Sequence, residues 1–174
     1  MEATAVLIGA AGAASEPFER IVRLRESQVL RAAYRILGNW SDAEDVAQET
    51  FLKLHRHGID FATEAALNSW LYRVAVNLCF DRVRAAKPST ELSEIRSGQP
   101  SAESTVIRDQ AREALMAALE QLPPKQRAAV VLREIEGLST AEVAEILGSA
   151  EVTVRSQISA ALARLRGILN RGVL

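Results

Sequence analysis

A chain of 174 residues with 48% apolar and 25% charged side chains has ample hydrophobic content for packed cores, which excludes a wholly disordered protein. Its formal net charge of −1 excludes a protein that holds nucleic acid merely by being basic. The single cysteine, Cys79, excludes an internal disulfide and suits a reducing cytoplasm, where it reads as a small buried hydrophobe. Ala, Leu, Glu and Arg dominate long stretches at helical spacing, while Val, Ile and aromatic residues form no period-2 runs, so the predicted fold is all-α.

Residues 1–14 are apolar and rich in Ala and Gly but lack the basic start of a secretory signal, and they are expected to form a disordered tail. No apolar run approaches the roughly 20 residues needed to span a bilayer, and a soluble protein is expected. A first helical block is predicted over 15–87. Phe18, Ile21, Val22, Val29, Ala33 and Leu37 mark one helix face, and Gly38-Asn39 follows as a stop. Ser41 and Glu44 then have the spacing of a capping box for a helix running to about Arg56. Its inner face holds Ala43, Val46, Ala47, Thr50, Phe51 and Leu54, leaving Asp45, Gln48, Glu49 and Leu52 outward. A third helix, about Ala65 to Ala86, is expected to bury Leu67, Trp70, Leu71, Val74 and Leu78, with Arg73, Asn77, Phe80, Asp81 and Arg84 towards its other side.

Residues 88–107, rich in Ser and containing Pro88, Gly98 and Pro100, have a linker's composition. About 20 residues stretch to at most roughly 70 Å, so the blocks are free to occupy well-separated sites. The second block, 108–174, begins with a helix carrying Ala111, Leu115, Ala118, Leu119 and Leu122, broken at Pro123-Pro124; Pro124 is suited to open the next. That next helix is predicted to pack Ala128, Val131, Leu132 and Ile135 and to stop at Gly137. Ser139 and Glu142 repeat the capping-box spacing over a short helix ending at Leu147-Gly148. After a three-residue turn, the last helix carries Val154, Ile158, Ala161, Leu162, Leu165 and Leu169 on one face. A short capped helix, a Gly-containing turn and a longer helix with a basic residue near its start form the pattern of a helix-turn-helix, whose second helix enters the major groove.

Charge is segregated along this chain. Residues 41–50 hold four acids and no base, whereas 71–87 hold Arg73, Arg82, Arg84 and Lys87 against Asp81 alone. Arginines of the second group are suited to phosphates, and Asn77 has the donor and acceptor pair that reads a base edge. Melted DNA also needs aromatic surfaces for unstacked bases. Trp70 and Tyr72 are available, but Trp70 sits on the predicted buried stripe, and Phe80 is the better placed ring.

Several strings together resemble a known family. Arg35-Ile-Leu-Gly-Asn39 and Asp42-Ala-Glu-Asp-Val-Ala-Gln-Glu-Thr-Phe-Leu-Lys53 resemble the core-polymerase-binding helix of sigma region 2, and Ser69-Trp-Leu-Tyr-Arg-Val-Ala-Val-Asn77 looks like the helix that follows it. In the second block, Leu122-Pro-Pro-Lys-Gln-Arg127, Glu136-Gly-Leu-Ser139 and Ala144-Glu-Ile-Leu-Gly148 are similar to sigma region 4. The resemblance runs from Phe18 to Leu169 in the family's order, and the presence of regions 2 and 4 alone fits the short extracytoplasmic-function group.

That resemblance implies a sigma factor that binds core RNA polymerase and directs promoter recognition and melting. Asp45, Gln48, Glu49 and Leu52 would dock on the clamp of the beta-prime subunit, with the beta subunit as a further contact. Arg73, Asn77, Phe80, Arg82 and Arg84 would read the minus-10 element, and Thr153, Arg155, Ser156 and Ser159 the minus-35 element. It also implies an anti-sigma factor and a cytoplasmic location, with attachment to the inner membrane where that anti-sigma factor is membrane-bound. One departure stands out: relatives commonly carry Arg or His where this chain has Gln157, Ser159 and Ala160, so weak minus-35 binding with a shallow salt slope is expected.

No catalytic signature, phosphate-cradling loop or metal-ligand set is present in the sequence. His55 and His57 at i, i+2 do not share a helix face. No enzyme activity, cofactor or small-molecule substrate is expected. Two other readings remain open at this point. A conventional helix-turn-helix regulator accounts for the second block but not the acidic and Trp-Leu-Tyr-Arg helices. A sigma-like decoy that sequesters an anti-sigma factor accounts for both.

Overall fold

The computed structural model describes residues 15–86 and 106–171. The proposed tail, most of the linker and the last three residues lie outside the described residues. The chain forms α1 (Ser15–Leu37), α2 (Trp40–His57), α3 (Glu64–Ala85), α4 (Val106–Glu120), α5 (Pro124–Val130), α6 (Thr140–Leu147) and α7 (Glu151–Arg171), with a π turn at Val131–Ile135 continuing α5. All-α architecture follows the predicted periodicity.

Local chemistry accounts for most helix ends. Gly38 stops α1 at φ 73°, a left-handed conformation that costs glycine least. The helix cap of α2 differs from the sequence expectation: Asn39, not Ser41, is the N-cap, its side chain accepting the Asp42 amide at 3.0 Å. With the helix starting two residues earlier, Glu44 no longer reaches back to a cap and instead accepts the Trp40 Nε1 hydrogen at 2.9 Å. Thr63 caps α3 and Pro124 opens α5. The predicted capping box on α6 is complete, with the Ser139 Oγ accepting from the Glu142 amide and the Glu142 carboxylate accepting from the Ser139 amide.

The first block packs α1, α2 and α3 together. All six residues expected on the inner face of α2 are buried, and Thr50 satisfies its hydroxyl by donating to the Val46 carbonyl at 2.7 Å. Burying side chains such as Phe51 and Leu54 contributes about 1.5–3 kcal/mol each. In the second block α7 lies across α4, α5 and α6, burying Val154, Ile158, Ala161 and Leu165, while Leu169 is 36% exposed.

Two expectations need correction. Ile135 is 37% exposed rather than packed inside, because the π turn, with Glu136 N–H bonded to the Val131 carbonyl, inserts extra backbone and rotates that residue off the buried face. Tyr72 is only 7% exposed rather than free to stack on bases. Helix α3 buries a wide arc, with Tyr72, Ala75, Val76 and Cys79 beside Leu67, Leu71 and Leu78, because it packs against α1 and α2 and also against α5 and α6 of the second block. Trp70 and Val74, placed inside by the periodicity, are partly buried and packed against the core. The blocks are thus in direct contact.

Candidate functional site

Three surfaces carry the predicted residues. On α2, Asp45 and Gln48 are exposed, and Glu49 and Leu52 are half-buried beside them. Asp45 and Glu49 have ion-pair partners: Asp45 lies 3.7 Å from Arg82, and Glu49 lies 3.6 Å from Lys53 one turn on. The strip remains acidic and open, since these carboxylates are about half exposed, with side-chain exposures of 58% and 46%.

On α3, Asn77 is exposed, and its side chain has no hydrogen bond among the described residues, leaving its amide available. The arginines around it are engaged within the protein. Arg82 reaches Asp42 at 3.2 Å as well as Asp45, Arg84 pairs with Asp81 one turn back, and Arg73 pairs with Glu145 of α6 at 2.8 Å. Exposed pairs of this kind are worth little, about 0–1 kcal/mol each, so phosphates can replace the carboxylates. Phe80 is half-buried and packs on the core, offering one edge. A second aromatic group stands at the α2–α3 corner, where His57 lies 4.9 Å from Trp70 and 5.4 Å from Phe61 between ring centroids. Sequence spacing did not bring these rings together, because the loop 58–63 folds Phe61 back onto α3.

On α7, Thr153, Arg155, Ser156 and Ser159 are all exposed at the start of the helix, directly after the turn that Gly148 begins at φ 59°. Gln157 and Ala160 are half-buried, and the Gln157 side-chain oxygen is buried without a hydrogen bond. They are therefore poorly placed for DNA, and the comparison with basic relatives applies to Ser159 alone. Arg155 forms an ion pair with Glu151 at 2.9 Å, which offsets part of the only basic charge near the helix start.

A fourth group of residues was not singled out by sequence reasoning. Glu136 accepts from Arg35 of α1 and from the Tyr72 hydroxyl of α3, both at 2.9 Å. Burial and the neighbouring carboxylate hold the Tyr72 phenol well above its ordinary pKa. Arg127 of α5 donates to the Ile36 carbonyl at 2.6 Å and also bonds the Glu120 carbonyl. Burial lowers its pKa. Their only sequence signal was membership of the strings Glu136-Gly-Leu-Ser139 and Leu122-Pro-Pro-Lys-Gln-Arg127.

Among the described residues no group of His, Cys, Asp and Glu is arranged to hold a metal ion, and no helix is long and apolar enough to cross a membrane.

Comparison with known proteins places the chain in a family. The family model for Sigma-70 region 2 matches residues 21–88, and that for Sigma-70 region 4 matches residues 112–165. The chain is 40% identical over 161 residues to the ECF RNA polymerase sigma factor SigM of Mycobacterium tuberculosis, covering 90% of this chain and 80% of that one. It is 31% identical over 156 residues to SigW of Bacillus subtilis, covering 82% and 83%. Among solved structures, the sigma factor RpoE of Bartonella quintana, in complex with the anti-sigma factor NepR, superposes with a TM-score of 0.72 at 22% identity, covering 89% of this chain and 98% of that one. CnrH, in complex with the cytosolic domain of CnrY, gives 0.67 at 23% identity, covering 88% of each. These two likenesses show the fold. The chain therefore belongs to the extracytoplasmic-function sigma factors of the sigma-70 family, the promoter-recognising subunits of RNA polymerase.

Proposed function

We propose that the three surfaces divide the work of initiation. The outer face of α2, with Asp45, Gln48, Glu49 and Leu52, docks on a basic and partly apolar surface of the beta-prime clamp, where charge complementarity sets orientation and on-rate. Asn77 reads the minus-10 element, with Arg73, Arg82 and Arg84 holding its phosphates and Phe80 or the His57–Phe61–Trp70 corner supporting unstacked bases. Thr153, Arg155, Ser156 and Ser159 face the minus-35 element. The protein acts by binding rather than catalysis, in the cytoplasm, and its activity is set by an anti-sigma factor of the kind that RpoE and CnrH bind in their complexes.

The observation that carries this reading is the joint exposure of Thr153, Arg155, Ser156 and Ser159 on one face of α7, immediately behind a fully capped α6. That is the arrangement in which the second helix of a helix-turn-helix presents its first turns to base edges. Run-off transcription from a library of genomic fragments with purified core polymerase tests it, since specific transcripts must depend on this chain and on no other DNA-binding protein. The thin basic charge of α7 favours one second reading, a decoy that occupies an anti-sigma factor. Tight binding to an anti-sigma factor with no specific transcript in that assay would support it.

A further inference from the structure

The first turn of α7 holds an apolar side chain out in water. Val152 is 66% exposed, more than any other large apolar side chain among the described residues. Neither packing nor helix propensity accounts for it, since Val152 stands outside the core and a β-branched residue is a poorer helix former than alanine. Val152, Ser156 and Ser159 fall at i, i+4 and i+7, so these three exposed side chains line one face of α7, opposite the buried Val154, Ile158 and Leu165. That face is uncharged. Arg155 lies to one side and is turned to Glu151 at 2.9 Å, while the Ser156 hydroxyl donates back to the Val152 carbonyl at 3.1 Å. With its hydrogen engaged there, Ser156 presents lone pairs to the outside.

This is the face assigned above to the minus-35 element, and a helix that enters the major groove by its first turns meets base edges there. Among the four ordinary bases, thymine alone presents a methyl group in that groove. The valine isopropyl group offers neither a hydrogen bond nor a charge. Set against a donor or acceptor edge, it would strip water from that edge and return nothing. Set against the thymine methyl, it removes apolar surface from water on both sides, which is favourable.

We propose that Val152 reads the C5 methyl of a thymine in the minus-35 element, a specificity contact made by apolar burial instead of hydrogen bonds or phosphate charge. The proposal rests on the assignment of that element to α7 given above. It supplies selectivity to a helix whose first turns carry a single basic residue, Arg155. Covering one methyl changes affinity about fourfold. It releases no counterions, so this part of the selectivity persists at salt concentrations that weaken phosphate contacts.

The test uses holoenzyme assembled from the full chain and core polymerase, with a promoter-length duplex library randomised over both elements. Selection gives a bound sequence, and each thymine of its minus-35 element, on either strand, is then replaced by deoxyuridine, which pairs identically but lacks the methyl. In competition binding the parent is expected to lose about fourfold at one thymine, by the same factor across a salt series. Val152→Ala should show that loss on the thymine duplex and no longer distinguish thymine from deoxyuridine there. Val152→Ile, which keeps a branched apolar side chain, should restore the distinction, and Thr153→Ala should retain it. Position 152 is exposed, so melting temperatures close to the parent's confirm that the fold is intact. If Val152→Ala still prefers thymine to the same degree, or if the parent ignores deoxyuridine at every position, the methyl contact is overturned while the minus-35 assignment stands. If the parent selects no minus-35 sequence at all, both fall.

Discussion

Arg82 of α3 reaches back to Asp42 at the start of α2, 3.2 Å away, and from there also contacts Asp45 at 3.7 Å. An arginine assigned to DNA thus shares a carboxylate with the strip assigned to polymerase, and the two surfaces adjoin rather than lying on opposite sides of the block. Binding of a phosphate to Arg82 would free Asp45 to interact with polymerase.

The first prediction follows from that adjacency. Asp45→Lys with Glu49→Lys should weaken core polymerase binding while leaving helicity intact and changing stability by less than about 1 kcal/mol, because both carboxylates are about half exposed and their ion pairs are surface pairs. Arg82→Ala alone, which releases Asp45, should leave core binding intact or strengthen it. Fluorescence anisotropy with labelled protein measures both, and an equal loss in the two variants would trace the effect to Arg82 instead of the acidic strip.

Asn77 and Arg84 separate base reading from phosphate binding. Asn77→Ala should shift preference within the minus-10 element by about 1–3 kcal/mol, the worth of a good base contact. Arg84→Ala should weaken all minus-10 sequences alike and flatten the salt slope by about 0.9. Competition among single-base variants of a responsive promoter gives the answer. Equal weakening on every variant by Asn77→Ala would remove it from base reading.

On α7, the burial pattern selects the position where added charge helps. Ser159→Arg, at an exposed site, should tighten minus-35 binding and steepen its salt dependence by about 0.9 if one phosphate contact forms. Gln157→Arg should chiefly destabilise the domain, because that side chain is half-buried with its oxygen already enclosed. Duplex binding across a salt series, with thermal melts of each variant, distinguishes these outcomes.

Acid should loosen the helix-turn-helix at its cap. Bonds from the Ser139 backbone and side chain hold the Glu142 carboxyl below its usual range. A depressed carboxyl pKa contributes stability that is fully present above the unfolded value, about 4.3, and is lost as pH falls through the folded value. Ser139→Ala should cost about 1 kcal/mol at neutral pH, and Glu142→Gln should remove this cap's share of the acid dependence. Melting temperatures of parent and Glu142→Gln converging as pH drops would match this; a constant gap would not.

Cys79 supplies a probe of the first block's integrity. Burial pushes its thiol up to about 12, far from the roughly 8.5 of a free cysteine. Alkylation at neutral pH should therefore be slow and speed up together with denaturant unfolding, as read by mass spectrometry.

Sequence reasoning was strongest where the deciding contacts are local. The six buried residues of α2, the Ser139–Glu142 box and the Gly38, Gly137 and Gly148 stops all depend on neighbours within one or two turns, and periodicity or turn chemistry finds them. The Ser41–Glu44 spacing points to a cap at Ser41, but Asn39, read as part of the preceding stop, fits a cap equally well by residue type, and a shift of two positions decides between them. Tyr72 and Ile135 were misplaced for a different reason. Tyr72 is covered by a block far along the chain, and Ile135 is turned outward by extra backbone in a π turn, neither of which leaves a trace in helical spacing. The site residues on α2 and α7 were found on the predicted faces, whereas the ion pairs that occupy Arg73 and Arg82 depend on tertiary packing.

The wide buried arc of α3 gives the seam between the blocks a thermal character. Separating them hands water apolar surface from Tyr72 and its surroundings, and each Å² of such surface raises heat capacity by about 0.45 cal/mol/K. The hydrophobic share of closure then weakens on cooling. The desolvation cost of the Arg35–Glu136 pair moves the same way, since it falls as temperature rises. With both contributions tilted in one direction, the packing between the two halves of this chain should be weakest in the cold and tighten on warming towards ambient temperature.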